Sequence, residues 1–106
     1  MTEQVRASHI LLMYAGSMRS SNDRSKEDAL KLIEELKSAV EEGEDFSELA
    51  KTHSDCPSGT EGGDLGSFGR GQMVLEFEET AFSMEIGDTS GVVKTDFGYH
   101  LIQRTG

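Results

Sequence analysis

The chain has 106 residues, 20 acidic against ten basic, for a formal charge of −10 at pH 7. A field of that sign repels nucleic-acid phosphates and anionic membrane surfaces and leaves basic or neutral peptides as better partners. The length allows one domain with a single modest core, and the lone cysteine, Cys56, cannot form an intrachain disulfide, so nothing calls for an oxidising compartment.

Met1-Thr2-Glu3-Gln4 has no leader-like pattern, and no apolar run approaches the roughly 20 residues that span a bilayer. A cytoplasmic monomer is the expectation. Residues 5–12 read as a strand with Val5, Ala7, His9 and Leu11 on one face, and residues 13–24 as a loop without periodicity. Ser25 followed by Asp28 resembles a capping box. Ala29, Ile33, Leu36 and Val40 then recur at helical spacing until Gly43. Asp45 and Glu48 open a second, short helix through Phe46, Leu49 and Ala50, ending near His53. Six glycines between 59 and 71 mark a loop, interrupted by a short strand near Leu65–Phe68. Val74, Phe77 and Ala81 have the spacing of a third helix, with Phe82 at its end. Gly87-Asp88 is a turn, Val92-Val93 a short strand and Tyr99–Arg104 the last strand. This order is α+β, without repeats, linkers or low-complexity tracts. It leaves the strand pairing open.

Three blocks stand out: Ser54-Asp55-Cys56-Pro57-Ser58-Gly59, Gly62-Gly63-Asp64-Leu65-Gly66, and Thr95-Asp96-Phe97-Gly98-Tyr99-His100, with His9 in the first strand. Together they resemble the parvulin family of peptidyl-prolyl cis/trans isomerases, over roughly Val5 to Thr105 and closer to its small bacterial members. The resemblance implies one domain over residues 1–106, with a four-stranded, mostly antiparallel sheet surrounded by three to four helices. The first and last strands would be central neighbours, bringing His9 and His100 together. It implies isomerisation of X–Pro bonds in proline-containing peptides and in unfolded or flexible protein segments, without cofactor or metal.

Rotation about an X–Pro bond must cross about 18–20 kcal/mol of amide resonance, and no bond has to break. An apolar pocket for the ring and polar groups around the rotating carbonyl suffice in principle. Leu65, Met73 and Phe77 match the family's prolyl pocket, with Phe82 as a supporting wall. His9 and His100 match its paired histidines. Thr95 matches the residue that fixes one imidazole's tautomer, since a neutral ring needs a partner for each nitrogen. Cys56 matches the active-site cysteine and Asp55 its neighbour. An electrostatic or steric role for Cys56 near the substrate carbonyl is favoured over covalent attack.

Phosphate-directed parvulins carry basic residues in the loop after the first strand. Here only Arg19 falls on such a position, with Arg24 further along, while Met13 and Met18 replace basic side chains. Phe97 stands where that subclass has a small polar residue and would extend the apolar wall. Strict phospho-specificity is therefore not expected. A non-catalytic peptide-binding or chaperone module using the same groove is the alternative. His53-x-x-Cys56 offers two metal ligands but no second pair follows, the glycine-rich stretch lacks the Gly-Lys-Ser/Thr ending of a phosphate loop, and nothing suggests the oxyanion hole of a cysteine protease.

Overall fold

The computed structural model describes residues 4–17 and 24–106. Its elements follow the order strand β1 (Gln4–Leu12), helices α1 (Lys26–Glu41) and α2 (Phe46–His53), strand β2 (Asp64–Gly69), helix α3 (Leu75–Ser83), and strands β3 (Val93–Thr95) and β4 (Gly98–Arg104). Local chemistry sets most boundaries. Ser25 caps α1 by accepting the Asp28 N–H, and Glu27 and Asp28 in the first turn suit the positive end of the helix dipole. Asp45 caps α2 by accepting the Ser47 N–H. One element departs from the sequence reading: Pro57–Glu61 form a short 3₁₀ turn where a plain loop is expected. Proline at its first position is cheap because that N–H is unpaired in any helix, and Gly62, at φ 74°, ends it.

The strands form one antiparallel sheet in the order β2-β1-β4-β3, so the first and last strands are its centre. Side chains alternate across a strand, and each face of β1 is covered by different elements. Ile10 and Leu12, with Tyr99 and Leu101 of β4, pack against Ala29, Ile33, Leu36, Phe46 and Ala50 of α1 and α2. On the other face Val5, Ala7 and Ile102 pack against Phe68, Phe77 and Ala81, under α3. Continuing along that second face, the register sets His9 opposite Ile102 and Leu11 opposite His100. His9 and His100 are therefore diagonal neighbours on one face, within reach of each other's rings.

Candidate functional site

The floor of the site is the histidine pair. His9 Nδ1 and His100 Nδ1 lie 3.2 Å apart, with the rings stacked at 25° and centroids 5.3 Å apart. Thr95 Oγ1 lies 2.7 Å from His100 Nε2 and accepts the Phe97 N–H at 3.2 Å. Thr95, His100 and His9 thus form one hydrogen-bonded chain, Thr95 Oγ1 to His100 Nε2 and His100 Nδ1 to His9 Nδ1, in which one imidazole donates to the other and the threonine oxygen also accepts the Phe97 N–H. Among the described residues, His9 Nε2 is a buried side-chain polar atom without a hydrogen-bond partner. Both rings are neutral at pH 7. Burial brings His9 down to about 4, and burial together with the neighbouring His9 brings His100 down to about 3.

One wall is the segment 54–56, zipped to the end of β1. Asp55 N–H donates to Leu11 O at 2.7 Å, and Ser54 Oγ accepts the Leu11 N–H at 3.1 Å. Asp55 Oδ2 accepts the Met13 N–H at 2.9 Å and the Arg24 guanidinium at 2.8 Å, and that guanidinium also donates to Met13 O. Cys56, partly exposed, lines the cavity, and its sulfur accepts the Ser58 hydroxyl at 3.2 Å. Asp55 itself is not on the cavity wall. Through these contacts it ties the cysteine's segment to the end of the strand.

The cavity above this floor measures about 610 Å³ and is lined by His9, Leu11, Met13, Cys56, Leu65, Gln72, Met73, Val74, Phe77, Phe97 and His100. Most of that lining is apolar, and Phe77 meets both imidazoles edge to face, 5.5 Å from His9 and 5.8 Å from His100. Two glycines permit the close approaches beneath it. A Cβ on Gly63 would stand 2.3 Å from His9 O, and one on Gly98 the same distance from Leu12 O, both at positive φ. These close contacts explain the glycines in the Gly-Gly-Asp-Leu-Gly and Phe-Gly-Tyr-His blocks.

Of the residues read from sequence, His9, Cys56, His100, Leu65, Met73, Phe77 and Phe97 meet at this one cavity, with Thr95 directly behind His100. Phe82 does not reach it. Its ring packs edgewise on Phe68, centroids 6.1 Å apart, and carries the Arg70 guanidinium at 4.3 Å. Arg24 is paired with Asp55, and Met18 and Arg19 lie outside the described residues. The sequence reading missed Leu11, Gln72 and Val74. Helical spacing placed Val74 inside the third helix, whereas it is the capping residue before α3 and belongs to a loop that presents consecutive side chains to the cavity. Leu11 was already on the face of His9, and that alternation was the signal available.

A family model described as the PPIC-type PPIase domain matches residues 1–106. The chain is 42% identical over 116 residues to the peptidyl-prolyl cis-trans isomerase Pin1 of Digitalis lanata, covering 99% of this chain and 98% of that protein. It is 47% identical over 93 residues to the foldase protein PrsA of Geobacillus kaustophilus, covering 87% of this chain and 32% of that one. Identity alone therefore does not place it on the bacterial side. Among solved structures, the peptidyl-prolyl isomerase ESS1 from Candida albicans superposes with a TM-score of 0.91 at 37% identity, over 97% of this chain and 63% of that one.

Proposed function

The chain belongs to the PPIC-type peptidyl-prolyl isomerase family, the parvulins, and is a peptidyl-prolyl cis/trans isomerase; from that premise we propose how its cavity rotates X–Pro bonds without requiring a phosphate before proline. The observation that carries the proposal is one mainly apolar cavity holding Leu65, Met73 and Phe77, with Cys56 on its wall and His9 and His100 as its floor. The three apolar side chains grip the prolyl ring. Twisting the amide destroys its conjugation and reduces its dipole, so a pocket that removes water favours the twisted form over the planar one. Cys56, with its sulfur already accepting the Ser58 hydroxyl, stands beside the rotating carbonyl as a polarisable neighbour. The histidines, neutral and hydrogen-bonded to each other and to Thr95, fix the floor and transfer no proton.

Substrate preference follows from the rim. Met13 and Phe97 line the cavity, and no lysine or arginine is among its described lining residues. Arg24 is held by Asp55 at 2.8 Å, which supports apolar or basic residues before proline over phosphoserine. A partly exposed thiol on the cavity wall supports work in a reducing compartment such as the cytoplasm; we read the active form as a single-domain monomer acting on flexible proline-containing segments. A protease-coupled isomerisation assay on Ala-X-Pro-Phe peptides, X being Leu, Phe, Lys, Glu or phosphoserine, tests both parts. Leu and Phe are expected to lead and phosphoserine to trail. A phosphoserine preference abolished by Arg19→Ala would overturn the specificity, and background rates on every peptide would leave a binding module instead.

A further inference from the structure

The loop between β2 and α3 delivers Gln72, Met73 and Val74 in succession to the cavity wall. Much of its support comes from side chains. Gln72 Oε1 accepts the Gly69 N–H at 2.8 Å, and Glu78 Oε1 accepts the N–H of Gly71, a residue at φ 86°. Glu78 is only 8% exposed. A carboxylate withdrawn from water that far needs donors and a countercharge. Gly71 supplies the N–H, and Arg70 supplies the charge at 3.9 Å from Oε2. The Arg70 guanidinium lies at the same time 4.3 Å from the Phe82 ring centroid. Glu78 and Phe82 are four residues apart on α3 and so share a helix face, and Phe82 is braced in turn by Phe68 of β2. Neither Glu78, Phe82 nor Arg70 is on the cavity wall, whereas Phe77, next to Glu78, is.

We propose that Glu78 and Phe82 are positioning residues for the prolyl pocket: through the Gly71 amide and the Arg70 guanidinium they hold the 70–74 loop so that Met73 stands opposite Phe77. One rigid helix then sets both sides of the grip, Phe77 directly and Met73 through its neighbours' clamp. The inference rests on reading the cavity as a prolyl site. Phe82→Leu keeps an apolar side chain but removes the ring face under Arg70. Phe82→Tyr keeps the face. Glu78→Gln keeps an acceptor for Gly71, and Glu78→Ala keeps nothing.

The test measures two things on the intact chain: kcat and KM for a Leu-Pro peptide, and the NMR position of the Met73 methyl group without substrate. Phe82→Leu and Glu78→Ala are expected to raise KM about five- to tenfold with kcat within about twofold and to move the Met73 methyl resonance. Phe82→Tyr should restore both, and Glu78→Gln should fall between. A fall in melting temperature alone, with KM and the Met73 resonance unmoved in Phe82→Leu and Glu78→Ala, would overturn the proposal. The methyl signal separates this outcome from failure of the prolyl reading: if the parent chain does not isomerise at all, Met73 still reports whether the clamp positions it.

Discussion

The two faces of the sheet are built from the same strands and end in opposite states. Toward α1 and α2, Ile10, Leu12, Tyr99 and Leu101 are sealed by Ile33, Leu36 and Phe46 into a buried, mainly apolar layer. Toward α3, Val5, Ala7 and Ile102 are sealed in the same way, but one step further along β1 and β4 the residues become His9, Leu11 and His100 at the base of an open cavity. Length accounts for much of the difference. The 16 residues of α1 run about 24 Å, and the nine of α3 about 13 Å. Loops rather than a further helical turn complete the second face. The closed face stores stability, and the open face holds buried polar groups whose hydrogen bonds close mainly on each other. Such a face is sensitive to protons and to ligand where the closed one is not.

The largest expected effect separates the faces by pH. Both imidazoles titrate near 6.5 when unfolded but at about 4 and about 3 when folded. Between those values the unfolded chain binds more protons, so stability is full above pH 6.5 and is lost as pH falls toward the folded values. The slope for each ring is about 1.4 kcal/mol per pH unit. Urea unfolding at pH 7, 6 and 5 should therefore show a steep loss that His9→Gln/His100→Gln flattens. Above pH 6.5 kcat/KM should stay level, since neither ring changes charge there. A catalytic limb near pH 7 that disappears with His9→Gln would break the assignment of the pair as a fixed floor.

Next in size is a cut into the closed face. Ile33 is fully buried in the layer under α1, and Ile33→Ala should cost about 2–5 kcal/mol by denaturant melt through lost transfer energy and the cavity left behind. Its kcat/KM below the melt should stay within about twofold of the parent. The mirror experiment is Met73→Ala on the open face. Met73 is partly exposed on the cavity wall, so thermal stability should barely move while kcat/KM on Leu-Pro peptides falls about tenfold. If the two variants instead lose stability and rate in proportion, the faces are not separable.

The closed face was legible in sequence because periodicity writes it there: Ala29, Ile33, Leu36 and Val40 at helical spacing and the alternation along 5–12 describe faces before any pairing is known. Strand order was not, since antiparallel partners β1 and β4 are separated by most of the chain; only the resemblance carried by the histidine and glycine blocks supplied it. The open face was legible where a residue type is rare, as with Cys56 and the two strand histidines. It was illegible where irregular backbone decides. Val74 followed a helical pattern but sits in a cap, and Gln72 had no pattern at all. Phe82 reads as a supporting wall beside the family's prolyl pocket, yet in the fold its ring packs on Phe68 and carries Arg70.

The smallest expected effect concerns Arg24, which sequence leaves as an anion-binding candidate and the structure pairs with Asp55. Both side chains are 23% exposed and their charges are 2.8 Å apart, so the pair is only partly screened and its loss should cost on the order of 1 kcal/mol. The consequence for catalysis is indirect, because Asp55 also holds the Met13 N–H and Cys56 follows it in the chain. Arg24→Gln should lower kcat/KM about threefold, by the same factor for leucine-proline and phosphoserine-proline peptides. Asp55→Asn should reproduce that common factor, and combining the two substitutions should add little, as expected for partners in one contact. A loss confined to the phosphoserine peptide in Arg24→Gln, with the leucine peptide untouched, would place the guanidinium on substrate rather than on the strap that steadies Cys56.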